Sequence, residues 1–398
     1  MANPCSSIER RDDEPVFVES LTKEEQLFAL EPEWTALEHA AGNTLPFRTA
    51  AWTLAWWQHL RQHRAAVRDS LAIRTIRTEG GRLIGVAPLL CTERPGVGLI
   101  RTRRLAFIGA DPNVTELRGP LFHPDHQVAC VTALATDLRR CSSEWDWMVW
   151  SGIPSGGPAE AALSEVVTWQ RSVPYYTLTL EPDWEQFRGK LGRNIKESLR
   201  KCYNSLKRDG FLLSFEVVTD QNKLDAALAD FFRLHAARAC LRDTVVHADL
   251  FGQESFRRFL RDVCGRFAAL GALRVYRLFV SGRLAASRIG FVLGGSLYFY
   301  YSGYDPEFRQ YSVMTTTTVE AIKSAFAEGI GSVNLSTGND VSKTRWSPVE
   351  HVEREGVTTA SHRRARLTRH AYSLVERAFK SPQVSHLRER FAARRPSR

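Results

Sequence analysis

The sequence predicts an α/β protein of the α+β kind, built from two similar domains in tandem, each with a mostly antiparallel mixed sheet flanked by helices. The chain has 398 residues, whereas one domain usually takes roughly 100–200. Short runs rich in β-branched and aromatic residues alternate with stretches of helical spacing. The tripeptide Gly-Arg-Leu occurs at residues 81–83 and 282–284 in two predicted hairpins. Because similar elements precede and follow both hairpins, an internal duplication is predicted.

Composition limits the class of protein. Hydrophobic residues make up 43% and charged residues 25%, which is typical of a globular chain and excludes a disordered one. The longest apolar region, residues 267–280, contains Arg274 and Arg277 and so does not predict a membrane span. Residues 1–15 lack the apolar segment of a secretory signal. These features predict a cytoplasmic protein that begins with a flexible leader.

Cysteine usage argues against a metal site. The seven cysteines are an odd number and form no C-x-x-C pair. Neither a disulfide framework nor a zinc site is therefore predicted, and we expect free thiols and no metal.

Positive charge is concentrated at the C-terminal end. The net charge is +10, and residues 351–398 carry 12 Lys and Arg against 4 Asp and Glu. This basic tail includes Leu367, Tyr372 and Leu374 at helical spacing, which predicts a partly helical segment. Such a helix suits peripheral contact with an anionic membrane surface, and its charge equally suits RNA phosphates.

Periodicity in the first half predicts one domain over residues 16–172. The predicted strands are residues 16–21, 71–77, 83–91, 103–108 and 145–150, and the predicted helices are residues 33–41, 49–64 and 126–140.

Similar patterns in the second half predict a domain over residues 173–350. The predicted strands are residues 175–180, 211–218, 273–280, 283–293, 296–304 and 332–335, and the predicted helices are residues 184–209, 222–238, 253–270 and 312–328.

The aromatic strand at residues 298–304 ends in a loop that opens a helix near Ser312. Backbone N–H groups and the positive end of such a helix can hold a phosphate. The alternative is an aromatic strand packed in a sheet, followed by an ordinary Ser or Thr cap. Both interpretations fit the spacing.

Several motifs, in their order, resemble the CelD-like and FemAB-like acyltransferases of the wider GNAT superfamily. The resemblance covers about residues 16–350. The motifs are a helix with Arg193, Lys196, Arg200 and Lys201; the Leu234-His235 and Arg238 element; Gly303-Tyr304-Asp305-Pro306; residues 338–346; and, in the first half, residues 52–57, 85–89 and 145–146. The resemblance implies tandem GNAT-like domains, the second carrying the acyltransferase.

The resemblance also implies a site. Attack by an amine on a thioester needs a base and an acid. Asp305 or Asp340 is the candidate base, and Tyr304 is the candidate acid for the leaving thiolate. The alternative for both aspartates is a turn or capping role. The cofactor site implied for the CoA diphosphate is the start of the helix, at Ser312, Val313, Met314 and Thr315.

Four basic side chains are the candidate substrate ligands. Lys343 and Arg345 can hold an anionic group of donor or acceptor, and otherwise form a solvated pair of charges. His235 and Arg238 share a predicted helix, and a lone histidine is alternatively a structural residue.

The resemblance implies transfer of an acyl group, with acetyl-CoA or another acyl-CoA as co-substrate, to an amine or hydroxyl of a small molecule or a polysaccharide or cell-envelope precursor. One alternative is FemAB-like transfer from aminoacyl-tRNA. Another is a catalytically silent binding protein, because Ser312-Val313-Met314 replaces the Ser-Pro-Gly that the family usually has.

Overall fold

A computed structural model gives the fold and describes residues 15–96, 101–111, 113–241 and 248–380. The predicted leader, except for residue 15, and the last part of the basic tail lie outside the described residues.

In the described residues, nine strands and five helices lie before residue 180. The strands are β1 (Val16–Leu21), β2 (Arg68–Leu71), β3 (Ile73–Thr78), β4 (Leu83–Ala87), β5 (Leu89–Pro95), β6 (Arg101–Phe107), β7 (Leu121–Phe122), β8 (Trp147–Pro154) and β9 (Thr168–Thr179). The helices are α1 (Glu24–Ala29), α2 (Glu31–Ala40), α3 (Ala50–Leu60), α4 (Gln127–Arg140) and α5 (Pro158–Leu163).

Six strands and seven helices follow in the second half. The strands are β10 (Leu213–Val218), β11 (Leu273–Val280), β12 (Arg283–Leu293), β13 (Ser296–Tyr304), β14 (Ser332–Thr337) and β15 (Val349–Thr359). The helices are α6 (Trp184–Lys190), α7 (Arg193–Arg208), α8 (Leu224–Ala239), α9 (Glu254–Ala269), α10 (Val313–Ala327), α11 (Val341–Thr344) and α12 (Arg363–Lys380).

The two halves repeat one arrangement, which confirms the predicted α/β fold. Each has antiparallel strands, then a helix, then a strand that runs parallel to the strand before the helix. The parallel pairs are β6 with β8 and β13 with β14. The Gly-Arg-Leu segments lie in the corresponding hairpins, and Gly81 and Gly282 both have φ of 81°. Glycine adopts this left-handed conformation without a steric penalty, so it suits both turns.

Two long strands, β9 and β15, join the halves into one sheet. The order of the larger sheet is β10-β11-β12-β13-β14-β9-β15-β8-β6-β5-β2. Strand β9 crosses the predicted limit between residues 172 and 173, and its second part pairs with β14, whereas β15 of the second half pairs with β8. The two strands also pair with each other. These two long strands therefore join the halves into one continuous sheet.

A shared aromatic core holds helix α3 against the second half. Trp52 contacts the rings of Phe259 and Tyr300, with centroids 5.2 and 5.6 Å apart. Phe47 contacts the ring of Tyr298 at 5.1 Å. Edge-to-face pairs of this kind stabilise a core beyond the apolar area they bury. This packing fixes the first half beside strand β13.

Several boundaries differ from the sequence prediction, and two of these differences bear on the fold of the second half. The predicted helix over residues 184–209 is two helices, α6 and α7, because the chain turns extended at Leu191 and Gly192. Strand β15 crosses the limit predicted at residue 350. The sequence does not show the alternation of buried and exposed residues in this strand, because the buried Glu353 is charged and pairs with Arg48.

The described part of the chain shows neither a helix that could cross a membrane nor a candidate metal site. None of its helices is long and apolar enough to cross a membrane. It holds no cluster of three or more His, Cys, Asp or Glu side chains that could bind a metal. Its six cysteines are free thiols, and Cys5 lies outside it.

Candidate active site

The parallel strands β13 and β14 separate soon after they meet. They pair only through Ser296–Tyr298 and Ser332–Asn334. Beyond Tyr298, strand β13 continues to pair with β12 alone. A gap therefore opens in the middle of the large sheet, beside the start of helix α10.

A carboxylate from the first half lies in this gap. Glu116 accepts hydrogen bonds from the Tyr298 hydroxyl and, at 2.7 Å, from the Ser336 hydroxyl. Burial raises the pKa of Glu116, although both hydrogen bonds and the positive charges of Lys343 and Arg288 oppose that effect. A carboxylate of raised pKa in a gap is suited to proton transfer near neutral pH.

Arg288 brings an unpaired cation to the same place. Its guanidinium lies over the ring of Phe299, 4.7 Å from the centroid. Its buried Nε has no hydrogen-bond partner, and no residue in the described ranges forms an ion pair with it. Burial, together with the nearby charge of Arg238, lowers the pKa of Arg288 to about 10, so it is a cation at neutral pH.

The predicted ligands His235 and Arg238 both lie on α8, against strand β13. Arg238 donates to the Ser302 hydroxyl at 3.1 Å, and its guanidinium lies 5.9 Å from the ring centroid of Tyr304. His235 packs against Phe231, Phe251 and Tyr301. Burial lowers the pKa of His235, which favours the neutral imidazole.

Helix α8 approaches this strand very closely. A Cβ atom on Gly303 would lie 2.4 Å from the backbone nitrogen of His235. Only glycine fits such a contact. This explains the glycine before Tyr304 and fixes Arg238 beside that tyrosine.

The loop after β14 carries Asp340 and Lys343. Asp340 caps α11 by accepting from the Ser342 backbone N–H at 3.1 Å. The Lys343 ammonium lies 3.1 Å from the Asp340 carboxylate and also donates to the carbonyl oxygens of Thr337 and Gly338. Burial alone would raise the pKa of Asp340, but the Ser342 hydrogen bond and the Lys343 charge lower it. Asp340 is therefore a weaker base than its position in the sequence indicated.

The predicted phosphate site lies at the start of α10. Ser312 has φ of 52°, a left-handed conformation, and directly precedes the helix. The backbone N–H groups of Val313 and Met314 donate to no backbone acceptor in the described residues. Arg345 donates to the Thr315 hydroxyl at 2.9 Å. The structure thus brings Arg345 to the helix terminus, where free N–H groups favour an anion.

Asp305 lies at the end of β13 but is engaged elsewhere. It caps a 3-10 helix by accepting from the Glu307 backbone N–H at 3.1 Å, and it accepts from Arg283 at 3.1 Å. Both contacts are typical of a capping residue. The structure does not join Asp305 to the group around Glu116.

A basic cleft of about 510 Å³ lies between α7 and the segment before Ser312. Its lining includes Arg200, Lys201, Arg208, Asn204 and Tyr311. Arg208 pairs with Asp209, whereas Arg200 and Lys201 form no ion pair with any described residue. The cleft thus offers two free cations next to the helix terminus.

Sequence reasoning did not find Glu116 or Arg288. Glu116 comes from a loop of the other half, and no spacing links it to residues more than 180 positions away. Arg288 carried a signal, because it is a charge within an otherwise apolar strand. Buried charges persist when they have a partner or a ligand.

Part of the second half matches a family model. Residues 193–344 match the acetyltransferase (GNAT) domain. No curated protein matches the chain.

Three solved structures share the fold. FemX has a TM-score of 0.53 and 10% identity, covering 85% of this chain and 96% of its own. A Bacteroides thetaiotaomicron VPI-5482 protein of unknown function has a TM-score of 0.50 and 14% identity, covering 86% and 100%. The C-terminal domain of a putative lysylphosphatidylglycerol synthetase from Agrobacterium fabrum has a TM-score of 0.50 and 13% identity, covering 89% and 96%.

Proposed function

We propose that this protein is a GNAT-type acyltransferase that moves an acyl group from acyl-CoA to an amine or hydroxyl. The proposal rests on three structural features that belong to the same part of the second half. Within the matched residues 193–344, α10 connects the two strands that border the gap and begins with two free N–H groups, and the segment directly before it lines the cleft that holds Arg200 and Lys201. A long anionic thioester needs these three features together: a slot, a diphosphate site and cations.

Several residues would hold the donor. The free N–H groups of Val313 and Met314 would face the diphosphate, with Ser312 shaping the turn and the Thr315 hydroxyl at its side. Arg345 would add a charged donor there, since it already reaches Thr315. Arg200 and Lys201 would hold a further phosphate in the basic cleft.

Glu116 is the proposed base. The attacking amine forms a bond to the thioester carbonyl carbon, and the carbon–sulfur bond breaks. The proton lost by the amine goes to Glu116, either directly or through water, and the leaving thiolate takes the proton of the Tyr304 hydroxyl. Arg288 is the unpaired cation that would stabilise negative charge on the carbonyl oxygen. We prefer Glu116 to Asp305 and Asp340, because both aspartates serve as caps.

The four predicted substrate ligands take different proposed roles. Arg345 and Arg238 would contact anionic groups. Lys343 would shape the loop, because its ammonium is already engaged with two carbonyl oxygens and Asp340. His235 would support β13 from α8. The division into domains at residues 172 and 173 is kept as part of this proposal.

The test is release of the free CoA thiol from acetyl-CoA by the full chain, with panels of amines and of sugar-linked acceptors. We expect release above background with at least one acceptor class, and loss of that release in Glu116→Gln. Saturable binding of acyl-CoA without turnover in any panel would favour the silent binding protein. Absence of acyl-CoA binding, with transfer from aminoacyl-tRNA, would favour the FemAB-like alternative.

A further inference from the structure

A second cleft, far along the sheet from the gap between β13 and β14, carries unpaired arginines. It has a volume of about 540 Å³ and lies among the end of α3, strands β2, β5 and β6, and the start of α9. Four arginines and two aspartates belong to its lining: Arg61, Arg64, Arg94, Arg104, Asp69 and Asp111. The volume is that of an ordinary small-molecule site.

Two of these arginines are partly buried without a counter-charge. Arg104 of β6 lies opposite Thr92 of β5, and Arg94 follows two residues later on the same face. The Nε atom of each is buried and has no hydrogen-bond partner. Across the described ranges, neither guanidinium forms a hydrogen bond or an ion pair. Burial and the like charge of Arg94 lower the pKa of Arg104.

The acids of the cleft form no ion pair with these arginines, although the charge of Asp69 acts on Arg104 through space. Asp69 accepts from the Thr92 hydroxyl and the Gln62 backbone N–H, both at 2.7 Å. Asp111 accepts from the Trp56 indole N–H at 2.8 Å and from the Thr115 hydroxyl at 2.7 Å. Both carboxylates are therefore used to hold local structure.

A pair of desolvated like charges opposes folding unless an anion neutralises it. The adjacent strands hold the two planar guanidinium groups side by side, and each can bind one phosphate through two hydrogen bonds. Arg64, which has no ion-pair partner in the described residues, adds a third cation at the rim. Trp56, Leu60 and Phe256 give the same cleft an apolar wall.

We propose that this cleft binds an organic diphosphate, with Arg94 and Arg104 as its two principal ligands. The apolar wall would contact the organic part of the molecule. Ser255 and Phe256 come from α9, so the bound molecule would contact both halves of the chain. This site is separate from the proposed donor site and does not depend on acyl transfer.

The experiment measures binding by calorimetry and melting temperature on the full chain, with inorganic pyrophosphate, uridine diphosphate and adenosine diphosphate as probes. We expect saturable binding and a rise in melting temperature. Arg94→Gln and Arg104→Gln should each weaken binding by about 10-fold or more. Arg101→Gln is the matched control, because Arg101 lies on the same strand, is exposed and pairs with Glu93, and it should bind as the wild type does.

Two further measurements separate the alternatives. Without ligand, Arg104→Gln should melt at the same or a higher temperature than the wild type, because it removes an uncompensated charge. Arg200→Gln/Lys201→Gln should retain the binding, which distinguishes this cleft from the donor site. Tighter binding of the nucleotides than of pyrophosphate would identify an organic ligand, whereas equal binding would reduce the site to one for inorganic diphosphate and overturn the proposal. It would also be overturned by absence of saturable binding, by binding unchanged in both variants, or by a lower melting temperature of Arg104→Gln.

Discussion

Each half contains one pair of parallel strands, but the residues beside the two pairs differ. In the second half, β13 and β14 separate around Tyr298, Ser336 and the carboxylate of Glu116. In the first half, β6 and β8 also pair over only three residues, and the pocket beyond them is lined by Arg48, Gln127 and Glu353. The halves therefore differ in the charged group beside the parallel pair, which is Glu116 with two hydroxyl donors in the second half and the Arg48–Glu353 ion pair in the first.

The segments that follow the two strands also differ. Strand β13 ends at Tyr304 and α10 begins at Val313, whereas β6 ends at Phe107 and α4 begins only at Gln127. The longer segment of the first half packs in the core that the two halves share, where the Tyr300 hydroxyl donates to the Val114 carbonyl oxygen at 2.6 Å, and it places Glu116 beside β13. The first half therefore has no tight turn before its helix, and its longer segment supplies a carboxylate to the second half.

The largest effect should come from Glu116→Gln. Removal of a general base costs about 100- to 10,000-fold in kcat/KM, and the amide should not lower the melting temperature, since burial disfavours the charged carboxylate it replaces. Asp305→Asn is the comparison variant and should retain most activity, because that carboxylate contacts Arg283 and the Glu307 N–H. The reverse ranking of the two variants would return the role of base to Asp305.

The next effect concerns the basic cleft. Arg200→Gln/Lys201→Gln should raise the Kd for acetyl-CoA by about 10- to 100-fold, because charge-assisted contacts to phosphate are lost. Lys207→Gln, on the same helix but outside the lining of the cleft, should change it little. Equal effects in both variants would indicate general electrostatic attraction rather than a site.

A smaller effect is expected from Lys343→Ala. Its positive charge lowers the pKa of Glu116, so its removal raises that pKa and a higher pH is needed to ionise the base. The acidic limb of the kcat/KM profile should therefore move to higher pH, with about a 10-fold loss at neutral pH. A uniform loss at every pH would instead make Lys343 a direct ligand of the substrate.

The smallest effect is expected from Ser312→Gly. Serine is held there in the left-handed conformation, and glycine should relieve about 0.5–1 kcal/mol of strain. The melting temperature should rise by about 1–2 °C, with acetyl-CoA binding unchanged or tighter. A lower melting temperature combined with weaker binding would show that the serine hydroxyl is needed.

Local patterns predicted most of the fold. The strands β11, β12 and β13 were predicted with the bounds that the structure has, because glycine-containing turns separate continuous apolar runs. The pairing of β9 with β15, and of β15 with β8, could not be predicted, since pairing between strands so distant in sequence leaves no periodic signal. Ser312, rather than Met314, is the position that needs a left-handed backbone, which the missing family glycine alone did not reveal.

The candidate site was predictable only where it is local in sequence. Tyr304, the start of α10 and the residues 340–345 follow one another along the chain, so motif order indicated them. Glu116 reaches the site through tertiary packing from the other half. Asp305 is the opposite case. Its position after Tyr304 predicted a catalytic role, but its carboxylate pairs with Arg283.

The central claim is that only the second half binds acyl-CoA, and a calorimetric titration of the full chain with acetyl-CoA tests it most directly through the stoichiometry. The account predicts one molecule per chain, with binding weakened in Arg200→Gln/Lys201→Gln and retained in Arg94→Gln/Arg104→Gln. Two molecules per chain, with the second still bound by Arg94→Gln/Arg104→Gln, would contradict the difference between the halves. Absence of binding, for acetyl-CoA and longer acyl-CoAs alike, would contradict the proposed donor.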